Sequence, residues 1–206
     1  MKKNILWMLA AILTCGLAVT ALSACSSDDD GKTETKTEVT MMYYLKVTDD
    51  VMKVADVEVN YVDQTGAKKK ETLTSAEWKK KLNANALPLT EGIWAKITPK
   101  AAVPAGNYQL KVTTAAGYQA KLSTFNIVTD AYGNNPDAAP TVAQTADEVA
   151  AWCAQSGTVA FTVSNEGYAK QTKVDFGGND DDDEDWITSR CHIFSGIFGF
   201  NDESCK

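Results

Sequence analysis

The sequence predicts an all-β, mostly antiparallel sandwich, and three observations carry that expectation. Between Thr40 and Phe176 apolar residues recur at every second position, the period of a strand buried on one face. Clusters of Gly, Asn, Asp and Pro punctuate the runs at short intervals, as turns require. Regular alternation of strand-length and helix-length segments is missing, which disfavours a parallel α/β sheet.

Taken in order, the chain opens with Met1, Lys2 and Lys3, runs apolar from Ile5 to Val19, and turns small from Thr20 to Cys25. A positive start, an apolar run and a small-residue end make the order of an export signal. The run is shorter than the about 20 apolar residues of a spanning helix. Leu22, Ser23, Ala24 and Cys25 resemble the lipobox of bacterial lipoproteins. That resemblance implies removal of residues 1–24 and attachment to a membrane through two or three acyl chains on Cys25, each chain burying ~0.8 kcal/mol per CH₂. Ser26, Ser27, Asp28, Asp29 and Asp30 resemble the acidic export tag of surface-exposed lipoproteins of the Bacteroidota. A solvated acidic spacer is the plainer reading of the same residues. Polar Gly31 to Glu38 extends this into a flexible tether over 25–38. The expected address is the outer membrane at the cell surface, with the lipid as membrane contact.

The body, 39–178, carries the strands. Met41, Tyr43, Leu45 and Val47 share one phase, and Ala55, Val57, Val59 and Tyr61 the next. Ile93, Ala95 and Ile97 set the inward phase of a third strand, turning Trp94 outward with Lys96 and Thr98. Tyr108, Leu110 and Val112 lead through Ala115, Ala116 and Gly117 to Tyr118, Ala120 and Leu122, a pattern read as a hairpin. The phase slips between Leu122 and Phe125, as at a bulge or a change of sheet. Val159, Phe161 and Val163 form a clear strand, and Tyr168, Val174 and Phe176 a weaker one. Two short helices are expected to cover the sheets. Thr74 precedes Glu77 by three, with Trp78 and Leu82 one turn apart; Thr145 precedes Glu148 by three, with Val149, Trp152 and Cys153 on one face and Gly157 as the stop. The segment Asp130 to Gln144 reads as a long loop or hinge. Seven or eight short strands of this kind favour an immunoglobulin-like sandwich.

The chemistry is sparse. With Lys2 and Lys3 removed from 20 basic residues, 18 face 27 acids, a net charge of about −9, which makes nucleic acid an improbable partner. His192 is the only histidine of the chain and lies in the tail, so the body offers no histidine base for a Ser or Cys nucleophile and no His ligand for a catalytic zinc. No catalytic residue, metal or cofactor is assigned, and no enzyme is expected. Of the three cysteines that remain after Cys15 and Cys25, Cys153 reads as a small core residue, and Cys191 with Cys205 as the candidate disulfide.

The tail, 179–206, opens with an acidic run from Asp180 to Asp185. It lacks the alternation of a calcium loop and reads as solvated acid. Arg190 and a Phe-rich cluster around Phe194, Phe198 and Phe200 follow, foreign in composition to the body. Trp94 is the candidate ligand platform, because an outward indole can stack on a sugar; the alternative is that it packs beneath the first helix near Trp78. Address and fold together favour a module that binds a glycan or a protein. An accessory subunit of a fimbria-like polymer or outer-membrane complex is the second expectation.

Overall fold

The computed structural model describes residues 37–122, 127–155 and 157–177, all within one compact unit, Thr35–Trp186. The export signal, Cys25, the acidic tag and all residues from Gly178 onward, including Cys191, Cys205 and His192, lie outside the described residues.

The element order is β1 (Glu38–Val47), α1 (Asp49–Val54), β2 (Ala55–Val62), β3 (Lys68–Thr72), β4 (Glu77–Ala84), β5 (Leu89–Pro99), β6 (Tyr108–Leu110), β7 (Val112–Lys121), β8 (Ile127–Gly133), β9 (Thr141–Ala143), α2 (Ala146–Cys153), β10 (Thr158–Val163) and β11 (Ala169–Gln171). Strands β4-β1-β7-β8 form one sheet, β11-β10-β5-β2-β3 the second, and β6 pairs with β9. Every pairing is antiparallel. Met41, Tyr43, Leu45 and Tyr118 of the first sheet share one core with Val57, Val59, Ile93 and Phe161 of the second. Each such side chain contributes roughly 1.5–3 kcal/mol by leaving water. This is the predicted sandwich, immunoglobulin-like in architecture and with two short helices; its connections are its own, since β1 and β2 fall in different sheets.

The positions of the helices differ in part from the sequence reading. At Thr145 the capping box forms as expected: Glu148 N–H donates to Thr145 Oγ1 at 3.2 Å and Thr145 N–H to the Glu148 carboxylate at 3.1 Å. Val149, Trp152 and Cys153 of α2 are buried, and the helix ends at Cys153 with Ala154 as cap, before Gly157. The segment after Thr74 is instead strand β4, fully paired to β1. Trp78 and Leu82 are four apart, a spacing that fits a strand face and a helix face alike, and Lys80 between them shares their half-buried phase. Ser75 Oγ donates to Glu77 O at 2.8 Å at the start of this strand. The helix that the sequence reading missed is α1. Asp49 and Asp50 lie in its first turn, where acids suit the dipole, and Lys100 Nζ donates to Met52 O and Lys53 O at 2.7 and 3.2 Å at its end.

The expected hairpin at Ala115–Gly117 is absent. β7 runs through it unbroken, with Thr114, Ala116, Tyr118 and Ala120 buried in one phase. Its small residues serve close approach: a Cβ on Gly117 would lie 2.9 Å from Ala131 Cβ and 3.0 Å from Asp130 O. β7 pairs instead with β8; residues 123–126 between them, where the phase slip was expected, lie outside the described residues. The segment Asp130 to Gln144 is not one long loop, because β8 continues to Gly133 and β9 occupies Thr141–Ala143. Of the weak last strand only β11 forms; Val174 and Phe176 leave the ladder and pack on the outer face of the five-stranded sheet, beside Val62 and Ala160.

Candidate functional site

Alternation along β5 gives the outer face of the five-stranded sheet its character. Ile93, Ala95 and Ile97 point into the core, so Gly92 and Trp94 face outward. The register places Lys70 of β3, Asn60 of β2, Trp94 of β5 and Thr158 of β10 in one row across the sheet. Beside it run Ala160, Gly92 and Val62, a floor of small and branched residues.

Trp94 lies on the predicted face but is not open to solvent: it is 3% exposed. Its ring stacks on Phe176, with centroids 6.3 Å apart and planes 21° apart. The cover expected from a helix near Trp78 is thus supplied by the segment after β11. Trp78 faces the interior from the other sheet, its ring 5.4 Å from Tyr61 and its Nε1 donating to Glu71 at 2.9 Å. Trp94 Nε1 is buried with no acceptor. Asn60, also buried, makes one long bond from Nδ2 to Glu58 O, at 3.5 Å. An indole N–H without an acceptor and a carboxamide with one long bond, beside an aromatic face, are groups that can bind a sugar's hydroxyls and stack on its C–H face.

On the opposite face of the same strand the sandwich holds Glu91, which sequence reading passed over. It is 0% exposed, and neither carboxyl oxygen has a hydrogen-bond partner. Burial pushes its carboxyl well above the usual range. Burial raises the hydroxyls of Tyr43 and Tyr118; negative charge at Glu91 comes next for Tyr43, and for Tyr118 the charge of Asp130 comes ahead of that of Glu91. These hydroxyls donate elsewhere, to Val62 O and Gly167 O, each at 2.7 Å. The signal was present: Glu91 occupies the phase of Ile93, Ala95 and Ile97.

The other charged features have structural roles. Six lysines, Lys68–Lys70 and Lys79–Lys81, line β3 and β4, the edge strands of their sheets, where lysine discourages pairing with another chain. Four of them meet acids: Lys69 with Asp63 at 3.5 Å, Lys70 with Glu58 at 3.6 Å, Lys79 with Glu77 at 2.6 Å, and Lys80 with Glu71. Cys153 is a free thiol in the core, raised by burial, as befits an inert packing residue. Among the described residues no group of three His, Cys, Asp or Glu is placed to hold a metal, and no helix is long and apolar enough to cross a membrane. No family model, curated protein or solved structure matches the chain.

Proposed function

We propose that this chain is a cell-surface lipoprotein whose sandwich domain serves as a ligand-binding or adhesion module. The observation that carries the binding reading is the row Lys70, Asn60 and Trp94 on the outer face of the five-stranded sheet, with an unpartnered indole N–H at its centre. The address rests on the sequence alone, on Leu22 to Cys25 followed by Ser26 to Asp30. A lipid on Cys25 and a tether of about a dozen residues would hold such a face away from the membrane at the end of a flexible arm.

The test is a pull-down from intact cells with glycan and protein partners scored separately, alongside protease shaving. The module reading expects loss of the protein on shaving and capture of glycan or of a foreign surface protein. Stoichiometric recovery with other outer-membrane subunits and nothing else would replace it with the accessory-subunit reading.

A further inference from the structure

The segment Thr172–Gly177 lies over the row described above in an unusual way. Thr172 N–H donates to Ala160 O at 3.2 Å, and past this bond the chain leaves the ladder. Val174 and Phe176 then cross the outer face and build a small apolar cluster with Val62 and Ala160, separate from the sandwich core. The floor beneath them is made for a flat occupant. A Cβ on Gly92 would stand 3.2 Å from Val174 Cγ2 and 3.3 Å from Phe176 Cζ, closer than side chains ordinarily pack. Gly92 is not among the left-handed glycines, so the space above it, rather than its backbone, accounts for the missing side chain.

Phe176 fits this floor in shape and leaves the Trp94 N–H unserved. A phenyl ring has no acceptor for Trp94 Nε1, which stays orphaned, and none for Asn60 Nδ2, whose one bond is 3.5 Å long. Burying a donor without an acceptor forfeits its bond to water, a cost that a packing-only surface avoids by using Phe or Leu in place of Trp. A pyranose ring differs from phenyl in this respect. It offers a C–H face of similar size to the indole and carries hydroxyl oxygens at its rim to accept from Trp94 and Asn60.

We infer that the outer face of the five-stranded sheet is a carbohydrate subsite closed by the chain's own strap Thr172–Gly177, with Phe176 standing where a pyranose ring binds. The inference rests on the binding-module reading and deepens it. The strap makes the site self-occupied, so ligand competes with Phe176, and apparent affinity is reduced by the fraction of molecules in which the strap is closed.

The experiment uses the full chain in detergent on an array of neutral and acidic oligosaccharides, including mannan, laminarin and cello-oligosaccharides. Phe176→Ala should bind at least one array sugar tenfold or more tightly than wild type. Adding Trp94→Phe, which keeps a ring and removes the N–H, should reverse the gain. Circular dichroism and melting establish that each variant is folded, and Phe176→Leu, which keeps apolar cover and removes the ring stack, replaces Phe176→Ala if that variant does not fold. Folded strap variants that bind no sugar better than wild type would show buried packing only and overturn the inference. Sugar binding insensitive to both positions would overturn the subsite while leaving the module reading intact.

Discussion

Replacing Glu91 by Gln should make the domain more stable at neutral pH and flatten its response to alkali. Glu91 sits among Phe161 of β10, Tyr43 of β1 and Tyr118 of β7, with both oxygens unpartnered. Burial raises its carboxyl in the folded protein, so the folded chain keeps a proton that the unfolded chain surrenders near the ordinary value of 4.5. The folded state then binds more protons than the unfolded one, and stability falls as pH rises from that value toward the folded pKa. The slope is about 1.4 kcal/mol per pH unit while one state is neutral and the other ionised. For a domain of this size each pH unit inside that window corresponds to on the order of 3–6 °C in melting temperature. Gln has the shape and polarity of the protonated acid and cannot ionise, so the difference between wild type and Glu91→Gln isolates this one group from the acids elsewhere. Urea unfolding at half-unit steps from pH 4.5 to 9 measures it, and Glu91→Leu should add a further gain by removing the orphaned oxygens. A variant whose stability parallels wild type across the range, or falls below it at pH 8, would refute the reasoning.

Glu71 joins the edges of the two sheets, accepting from Tyr61 Oη at 2.8 Å, Trp78 Nε1 at 2.9 Å and Lys80 Nζ; Glu71→Ala should cost about 1–2 kcal/mol by denaturant unfolding, the ion pair adding little because it is partly exposed. The Lys80 bond lowers the Glu71 carboxyl, so this contribution should be present above the ordinary Glu range and fade as pH falls through the folded pKa, a loss the alanine variant will not show. Thr145→Ala removes one arm of the α2 capping box and should cost ~1 kcal/mol in urea. Gly117→Val, with no space before Ala131 and Asp130 O, should lower the melting temperature by roughly 5 °C or more; an unchanged value would mean that β8 is free to move outward. Cys25→Ala should abolish incorporation of a clickable fatty acid, and label retained on it would place the lipid elsewhere.

Much of the fold was legible because alternation is a direct trace of burial. β1, β2, β5 and β10 were readable from their apolar phases, and α2 from its capping box. Two signals were ambiguous for physical reasons. A spacing of four, as between Trp78 and Leu82, keeps two residues on one face in either a helix or a strand, and only the neighbouring strand β1 decides between them. A run of Ala and Gly, as at Ala115–Gly117, marks a turn in sequence and close approach in space, and β8 supplies the neighbour that requires the second. The six residues of α1 span too few turns to declare a period.

The candidate site was half legible, and the half that was missed has one cause. Alternation predicts the face of a residue, which is why the outward direction of Trp94 could be read. What lies over that face is set by chain that follows six further strands, and no local pattern announces that Phe176 returns to stack on it. Glu91 and Trp94 break the binary pattern in opposite senses within four residues of β5: an acid on the buried phase and an indole on the solvent phase. A strand selected for packing alone would exchange them for an apolar residue and a polar one, each change relieving an orphaned group. Departures from local consistency concentrate where a protein does something besides fold. Two adjoining departures on one strand, one facing the core and the other the strap, therefore mark β5 as the element where function is to be sought first.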